Sequence, residues 1–359
     1  MRIALLNLPR DNNYGGNLQR YALMHVLETM GHDVEHINLK NSYSPSFIRQ
    51  LARWTKRTFK FCMGEKVDFF YEYHMRKKES RVNVYADEFY QKYIHHTCEV
   101  YDEITLKKLD WDCFDVVIVG SDQVWRYDMA ENSIGIKNFF LSFLSDRIIK
   151  KVGYAISLGN YDEDNIENYK SLCGLYQKFS SVSFRENAAL EYSKKIGWSK
   201  PEPKVAIDPT LLLTKEDYIN LFRLKLEKQD FIFCYILDKT QEKIHFINQL
   251  KDKYRLPLRR CSLEIGYMLE IPKWIEHIMN AAIVVTDSYH GVVFSVLFEK
   301  KLFFLGNERR GNERIRSLFE TLHVSIKEYN VENSTETPFM IEENRKKSLE
   351  YLRLCICGD

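Results

Sequence analysis

The sequence is informative first for what it lacks. Its eight cysteines are scattered and none forms a CxxC pair; Cys355 and Cys357 lie near the end without partners in the pattern. The spacing signature of a metal or redox pair is therefore missing. Several cysteines sit in apolar, strand-like runs, where the residue is a small hydrophobe. That usage suits a reducing compartment, so a cytoplasmic protein is expected. Charge of one sign is also scarce: the net value is +2, which gives no global case for nucleic acid as a partner. No apolar run approaches the roughly 20 residues of a membrane span. Met1-Arg2 leads straight into Ile3-Ala4-Leu5-Leu6, too short an apolar core for a secretory signal. No repeat and no low-complexity tract interrupts the chain. GxGxxG is absent, so there is no dinucleotide fingerprint. No carboxylate cluster demands a metal, and neither metal nor cofactor is expected.

What is present reads as α/β. The chain has 359 residues, of which 45% are hydrophobic, enough for two domains of ordinary size with real cores. A strand at 2–8 is followed by the polar turn Asp11-Asn12-Asn13-Tyr14-Gly15-Gly16-Asn17. Leu18, Ala22, Leu23, Val26, Leu27 and Met30 then recur at helical spacing, and Val34 to Leu39 is a second strand. This is a βαβ opening with glycines at the helix N-terminus. Residues 44–110 break the rhythm and look like a helical insertion. Within 47–61, Arg49, Arg53, Lys56, Arg57 and Lys60 lie on one face and Phe47, Ile48, Leu51, Trp54 and Phe61 mainly on another. Such a basic amphipathic helix either packs on its own protein or meets an anionic membrane surface peripherally, at the inner face of the cell membrane.

The rhythm returns with strands at 114–119, 151–157, 181–184 and 204–207, and a helix is expected over 164–178. Each strand ends in polar or small residues: Gly120-Ser121-Asp122-Gln123, Ser157-Leu158-Gly159, Arg185-Glu186, and Asp208-Pro209-Thr210. Asp208 before proline reads as a turn former. The charged run at 222–230 marks a boundary. The expected domains are 1–225, 226–335 with strands at 231–237, 257–262, 283–285 and 302–305, and a C-terminal helical segment 336–359. The stretch 281–298 draws the most attention. Ile283-Val284-Val285 reads as a buried strand and Val292 to Phe298 as a helix, with Thr286-Asp287-Ser288-Tyr289-His290-Gly291 between them. In open α/β sheets ligands sit beyond the carboxyl ends of the strands, where a helix N-terminus favours an anion. His290 stands at that spot; equally, it serves as a histidine bonded within a turn.

Six pieces taken in order resemble the polysaccharide pyruvyltransferase family. They are Asn13-Tyr14-Gly15-Gly16-Asn17-Leu18-Gln19, Val119-Gly120-Ser121-Asp122-Gln123-Val124-Trp125, Tyr154-Ala155-Ile156-Ser157-Leu158-Gly159, Ser183-Phe184-Arg185-Glu186, Asp208-Pro209-Thr210-Leu211-Leu212-Leu213 and Thr286-Asp287-Ser288-Tyr289-His290-Gly291. Arg314 resembles an arginine that recurs after the last strand of that family, whereas Arg126 stands where relatives often carry asparagine. The resemblance implies two Rossmann-like domains facing across a cleft, as in GT-B glycosyltransferases, with a last helix crossing back to the first. It implies phosphoenolpyruvate as donor and two hydroxyls of a sugar as acceptor, giving a cyclic pyruvate ketal and phosphate. The acceptor is expected in a bacterial surface polysaccharide or its precursor, lipid-linked oligosaccharides included.

By matching motif, the catalytic residues would be His290, Arg185 and Asp122. The donor would be held by Arg185, Ser288, Tyr289, His290, Gly291 and Arg314. The acceptor would meet Tyr14, Gly15, Gly16, Asn17, Ser121 and Gln123, with Tyr14 or Trp125 offering a ring face. Arginine suits this donor because its planar fork matches carboxylate and phosphate. Histidine gives or takes a proton near neutral pH, and the direction here stays open. Asp122 or Asp287 would partner or orient His290. A nucleotide-sugar glycosyltransferase on the same scaffold is the competing expectation.

Overall fold

The computed structural model describes residues 1–40, 83–144, 147–159, 165–227, 230–261, 268–307, 313–322 and 337–358, with scattered positions between 54 and 67. The expected basic helix at 47–61 falls largely outside the described residues.

Two parallel sheets organise these residues. The first contains β1 (Arg2–Leu6), β2 (Asp33–Leu39), β3 (His96–Val100), β4 (Val116–Asp122), β5 (Lys150–Ile156), β6 (Ser181–Phe184) and β7 (Lys204–Val205). Their order is β3-β2-β1-β4-β5-β6-β7, and Ile3 pairs with Val34 on one side and Val116 on the other. The order reverses between β1 and β4, which opens the crevice where Rossmann-type sheets bind ligands. The second sheet holds β8 (Ile232–Tyr235), β9 (Leu258–Cys261), β10 (Ile283–Thr286) and β11 (Lys301–Phe304), in the order β11-β10-β8-β9. Its own reversal lies between β8 and β10. Continuous buried runs such as Val116-Val117-Ile118-Val119 are what a parallel sheet covered on both faces requires.

The longer helices are α1 (Tyr14–Thr29), α2 (Val84–Tyr93), α3 (Asn187–Lys195), α4 (Lys215–Phe222), α5 (Gln241–Tyr254), α6 (Ile271–Asn280), α7 (Tyr289–Leu297), α8 (Glu313–Thr321) and α9 (Thr337–Cys357). α9 lies against the first sheet. Its Ser348 hydroxyl accepts from the Ile207 amide at 3.1 Å, and its Arg345 donates to the Leu211 carbonyl at 2.8 Å. No helix among the described residues is long and apolar enough to cross a membrane.

One cluster of buried side chains spans both sheets. Tyr14, the first residue of α1, stacks on Trp274 of α6 with ring centroids 5.0 Å apart, and its hydroxyl bonds both the carbonyl and the amide of Leu269 at 2.8 Å. Tyr218 of α4 meets Phe294 of α7 edge-on at 5.0 Å. Such ring pairs add about 0.5–1.5 kcal/mol each beyond the area they bury, so they help fasten the helices of the two sheets to one another.

Three sequence expectations change. The stretch 44–110 is not helical throughout: β3 closes the edge of the first sheet. Its sequence, His-Thr-Cys-Glu-Val, has no apolar run because an edge strand buries little of its surface. The helix expected over 164–178 is two short ones, Ile166–Ser171 and Cys173–Tyr176. Both helices that follow the key turns start earlier than apolar periodicity indicates, at Tyr14 and Tyr289. Their polar first turns are set by caps, Asn13 and Ser288, and not by burial pattern.

Candidate active site

The early helix starts decide the site's geometry. Asn13 Oδ1 accepts from the amides of Gly15 and Gly16 at 3.0 and 3.4 Å, and Ser288 Oγ accepts from that of Gly291 at 3.4 Å. Gly15 and His290 are thus each the second residue of a helix, one from each domain. They touch: a Cβ on Gly15 would lie 1.8 Å from His290 Nδ1 and 2.1 Å from Cγ. Two helix N-termini therefore meet at the interdomain boundary, where both dipoles favour negative charge.

Arg185 comes to the same place from the end of β6. Its Nη1 donates to Asp208 Oδ2 at 2.7 Å and its Nε to Glu186 Oε1 at 3.3 Å. His290 Nε2 lies 3.6 Å from the same Asp208 oxygen. Asp208 is 1% exposed, His290 5% and Arg185 6%. Among the described residues Arg185 Nη2 has no hydrogen-bond partner, and the 3.6 Å approach of His290 Nε2 to Asp208 is longer than a hydrogen bond. Buried donors are normally satisfied, so a guanidinium edge left over beside the imidazole points to an anionic ligand. Tyr289 supports the cluster, its ring centroid 4.5 Å from Arg185 Cζ and 5.6 Å from Arg314 Cζ.

The electrostatics follow from these contacts. Burial opposes the charge of Arg185, yet Tyr289, Glu186 and Asp208 together raise its pKa above the ordinary value. Burial also opposes the charge of Asp208, but His290, Arg185 and the Thr210 hydroxyl outweigh it and hold the carboxyl well below the usual range. Arg314 is lowered, by burial and by the Arg185 cation. The depressed Asp208 value predicts a pH effect on stability. Its unfolded pKa is about 3.9. The stabilisation is therefore complete above that value and is lost as pH falls towards the folded one. Urea denaturation between pH 6 and 3 is expected to show the wild-type midpoint falling more steeply than that of Asp208→Asn. Parallel slopes would contradict it.

The other expected residues divide. Ser288 caps α7, and Arg314 reaches the Tyr289 ring. Gly291 serves packing, not ligand approach, because a Cβ there would meet Thr286 Oγ1 at 2.3 Å. Asp122 ends β4 with φ +69, after Ser121 at φ +23, a strained pair at the reversal of strand order. It favours the charged forms of Arg20, Arg185 and Arg314 from a distance. Among the described residues the carboxylate paired with His290 is neither Asp122 nor Asp287, but Asp208. Asp287 instead receives the amides of Leu237 and Asp238 and the Lys243 ammonium, which organises the second domain.

On the acceptor side, Gly15 lies against the His290 ring. Tyr14 is closed off by Trp274 and Leu269 and offers no face to a sugar. Trp125 is fully buried and stacks on Phe140. Asn17 bonds its own helix entry at Asp11 and Asn13, Ser121 receives Gln19, and Gln123 receives Arg126. Gly16 sits beside Gly15 with its amide on the cap. Sequence reasoning missed Asp208 and Gln19, whose Nε2 donates to Asp208 Oδ2 at 2.6 Å. Both stood inside quoted motifs; the signal was their polarity at positions that a sheet edge and a helix face bury.

Two Rossmann-like domains with a polar cluster between them define a GT-B-like α/β fold. The Staphylococcus aureus MnaA–UDP co-structure superposes with a TM-score of 0.50 at 10% identity, over 100% of this chain and 98% of that one. A UDP-GlcNAc 2-epimerase from Methanocaldococcus jannaschii gives a TM-score of 0.49 at 12% identity, with 100% of each chain covered. The first of these carries the comparison, and it concerns the fold alone. The polysaccharide pyruvyl transferase family model matches residues 13–309, and the chain belongs to that family. No curated protein matches it.

Proposed function

We propose that the protein moves the pyruvyl group of phosphoenolpyruvate onto two hydroxyls of one sugar in a bacterial surface polysaccharide or its precursor. The observation that carries this is the convergence of Arg185 and His290, from different domains, on one buried carboxylate between two helix N-termini. The donor has a carboxylate and a phosphate on three carbons. Arg185 Nη2 and Arg314 supply positive charge to it, and the α7 N-terminus adds N–H dipoles.

The reaction balances as two additions at C2. A first hydroxyl oxygen bonds to C2 and loses its proton while C3 gains one, turning the enol methylene into a methyl group. The C2–O bond to phosphate then breaks. The second hydroxyl oxygen bonds to C2 and loses its proton, leaving a cyclic ketal and inorganic phosphate. Protons must be given at C3 and taken from oxygen, and His290 is the group placed to move them. Asp122 favours the charged forms of Arg185 and Arg314 at the donor site.

The test is binding followed by turnover. Phosphoenolpyruvate at about 100 times its Kd should stabilise the protein by about 2.7 kcal/mol, seen as a raised Tm. Arg185→Ala should abolish that shift. Phosphate release should then require a sugar with a suitable hydroxyl pair. Stabilisation by a UDP or GDP compound instead of phosphoenolpyruvate would replace this reading with nucleotide-sugar transfer.

A further inference from the structure

We infer that Asp208 is a positioning residue, whose single oxygen Oδ2 fixes both the imidazole of His290 and the guanidinium of Arg185. The inference rests on the reaction proposed above. Its two oxygens have separate tasks. Oδ1 receives the Thr210 amide at 3.0 Å and the Thr210 hydroxyl at 2.6 Å, which ties the carboxylate to its own turn after β7. Oδ2 receives Gln19 Nε2 at 2.6 Å and Arg185 Nη1 at 2.7 Å, and faces His290 Nε2 at 3.6 Å. Three elements from two domains, α1, the end of β6 and α7, thus meet on one oxygen atom.

The chemical consequence differs for the two cations. A carboxylate opposite one imidazole nitrogen keeps the proton on that nitrogen and stabilises the imidazolium once formed. With Nε2 turned to Asp208, the Nδ1 edge over Gly15 is the one left to exchange protons. For Arg185, Nη1 is fixed by Asp208 and Nε by Glu186, so Nη2 remains for the donor in one set direction. Gln19 bridges Asp208 and the Ser121 hydroxyl, at 2.6 and 2.8 Å, so the orientation of Oδ2 is tied to the strained end of β4.

The experiment compares Asp208→Asn with Thr210→Val, which removes a hydrogen bond from Oδ1 only. Both lose a buried bond and both are expected to be less stable. Only Asp208→Asn should lose kcat, by about 10²-fold as for a misplacement of a reacting group by about 1 Å, with the donor KM rising several-fold at most. Nitrogen NMR of labelled histidine provides the second readout, with the His290 signal identified by its loss in His290→Gln. The wild type should carry its proton on Nε2, and Asp208→Asn should lose that preference while Thr210→Val keeps it. If Asp208→Asn does not fold, Gln19→Met removes one donor to Oδ2 and should shift the same signal in the same direction. An unchanged His290 spectrum, or equal losses of kcat in the two variants, overturns the inference. The spectrum needs no acceptor. A wild type that transfers nothing yet shows the Asp208-dependent tautomer would overturn the reaction and leave the positioning role standing.

Discussion

His290→Gln is expected to lower the rate of phosphate release by about 10³-fold, within the 10²- to 10⁴-fold range of a lost general acid or base, while leaving the protein folded and able to bind the donor. Glutamine has nearly the reach of the imidazole and retains a donor for Asp208, so the buried carboxylate is not left alone. Arg185 keeps both of its carboxylate partners, and Nη2 keeps its direction. What disappears is the only function glutamine lacks, reversible protonation near neutral pH. Single-turnover phosphate release would report the loss, and the Tm shift on adding phosphoenolpyruvate would report intact binding. A rate within tenfold of the wild type would remove His290 from proton transfer. Loss of the Tm shift as well would instead mark the imidazole as part of the donor's binding charge.

How far the sequence leads to this point depends on the residue. The strands of both sheets were legible wherever a parallel strand is buried on both faces, as in Val116-Val117-Ile118-Val119 and Ile283-Val284-Val285, because burial writes itself as an unbroken apolar run. β3 was not legible, since an edge strand carries no such run. The helix starts at Tyr14 and Tyr289 were missed for a related reason. A capped first turn is polar, so periodicity locates a helix only from its second turn onward. That error had a cost at the site: Gly15 and His290 looked like turn residues, when each is held rigidly inside a helix. Arg185 and His290 were legible as chemical types at strand ends. Their meeting was expected only from the family resemblance, because no pattern within the chain links residues 105 positions apart. Asp208 was read as a turn former, and it is one: Thr210 bonds its Oδ1 in just that manner. Sequence gives one role per residue more readily than two, and the second oxygen's role exists only after the domains have packed.

Gly15→Ala is expected to cost the protein both stability and activity, against the direction that helix propensity dictates. Alanine is preferred over glycine within a helix by up to about 1 kcal/mol. Gly15 and Gly16 are neighbours in the same first turn of α1, so propensity alone treats them alike. Their surroundings do not. At Gly16 a Cβ meets nothing nearer than Arg20 Nη1 at 3.8 Å, ordinary contact. At Gly15 it would fall 1.8, 2.1 and 2.4 Å from three atoms of the His290 ring. That ring cannot swing aside cheaply, with the Tyr289 ring edge-on at 5.0 Å and Asp208 on its other flank. α1 cannot retreat either, because the Tyr14 hydroxyl is bonded to Leu269 and its ring stacked on Trp274. Overpacking of this kind costs about 1–3 kcal/mol, which outweighs the gain in propensity. The imidazole is displaced from Asp208 in the process, and a displacement near 1 Å is enough to lower a rate about 10²-fold. The paired measurement is urea denaturation and phosphate release for Gly15→Ala and Gly16→Ala. Gly16→Ala should be as stable as the wild type or more so, with its fold intact, while Gly15→Ala loses on both counts. Equal stability and equal activity in the two variants would mean that the two helix N-termini do not meet as described, and the site built on their meeting would go with them.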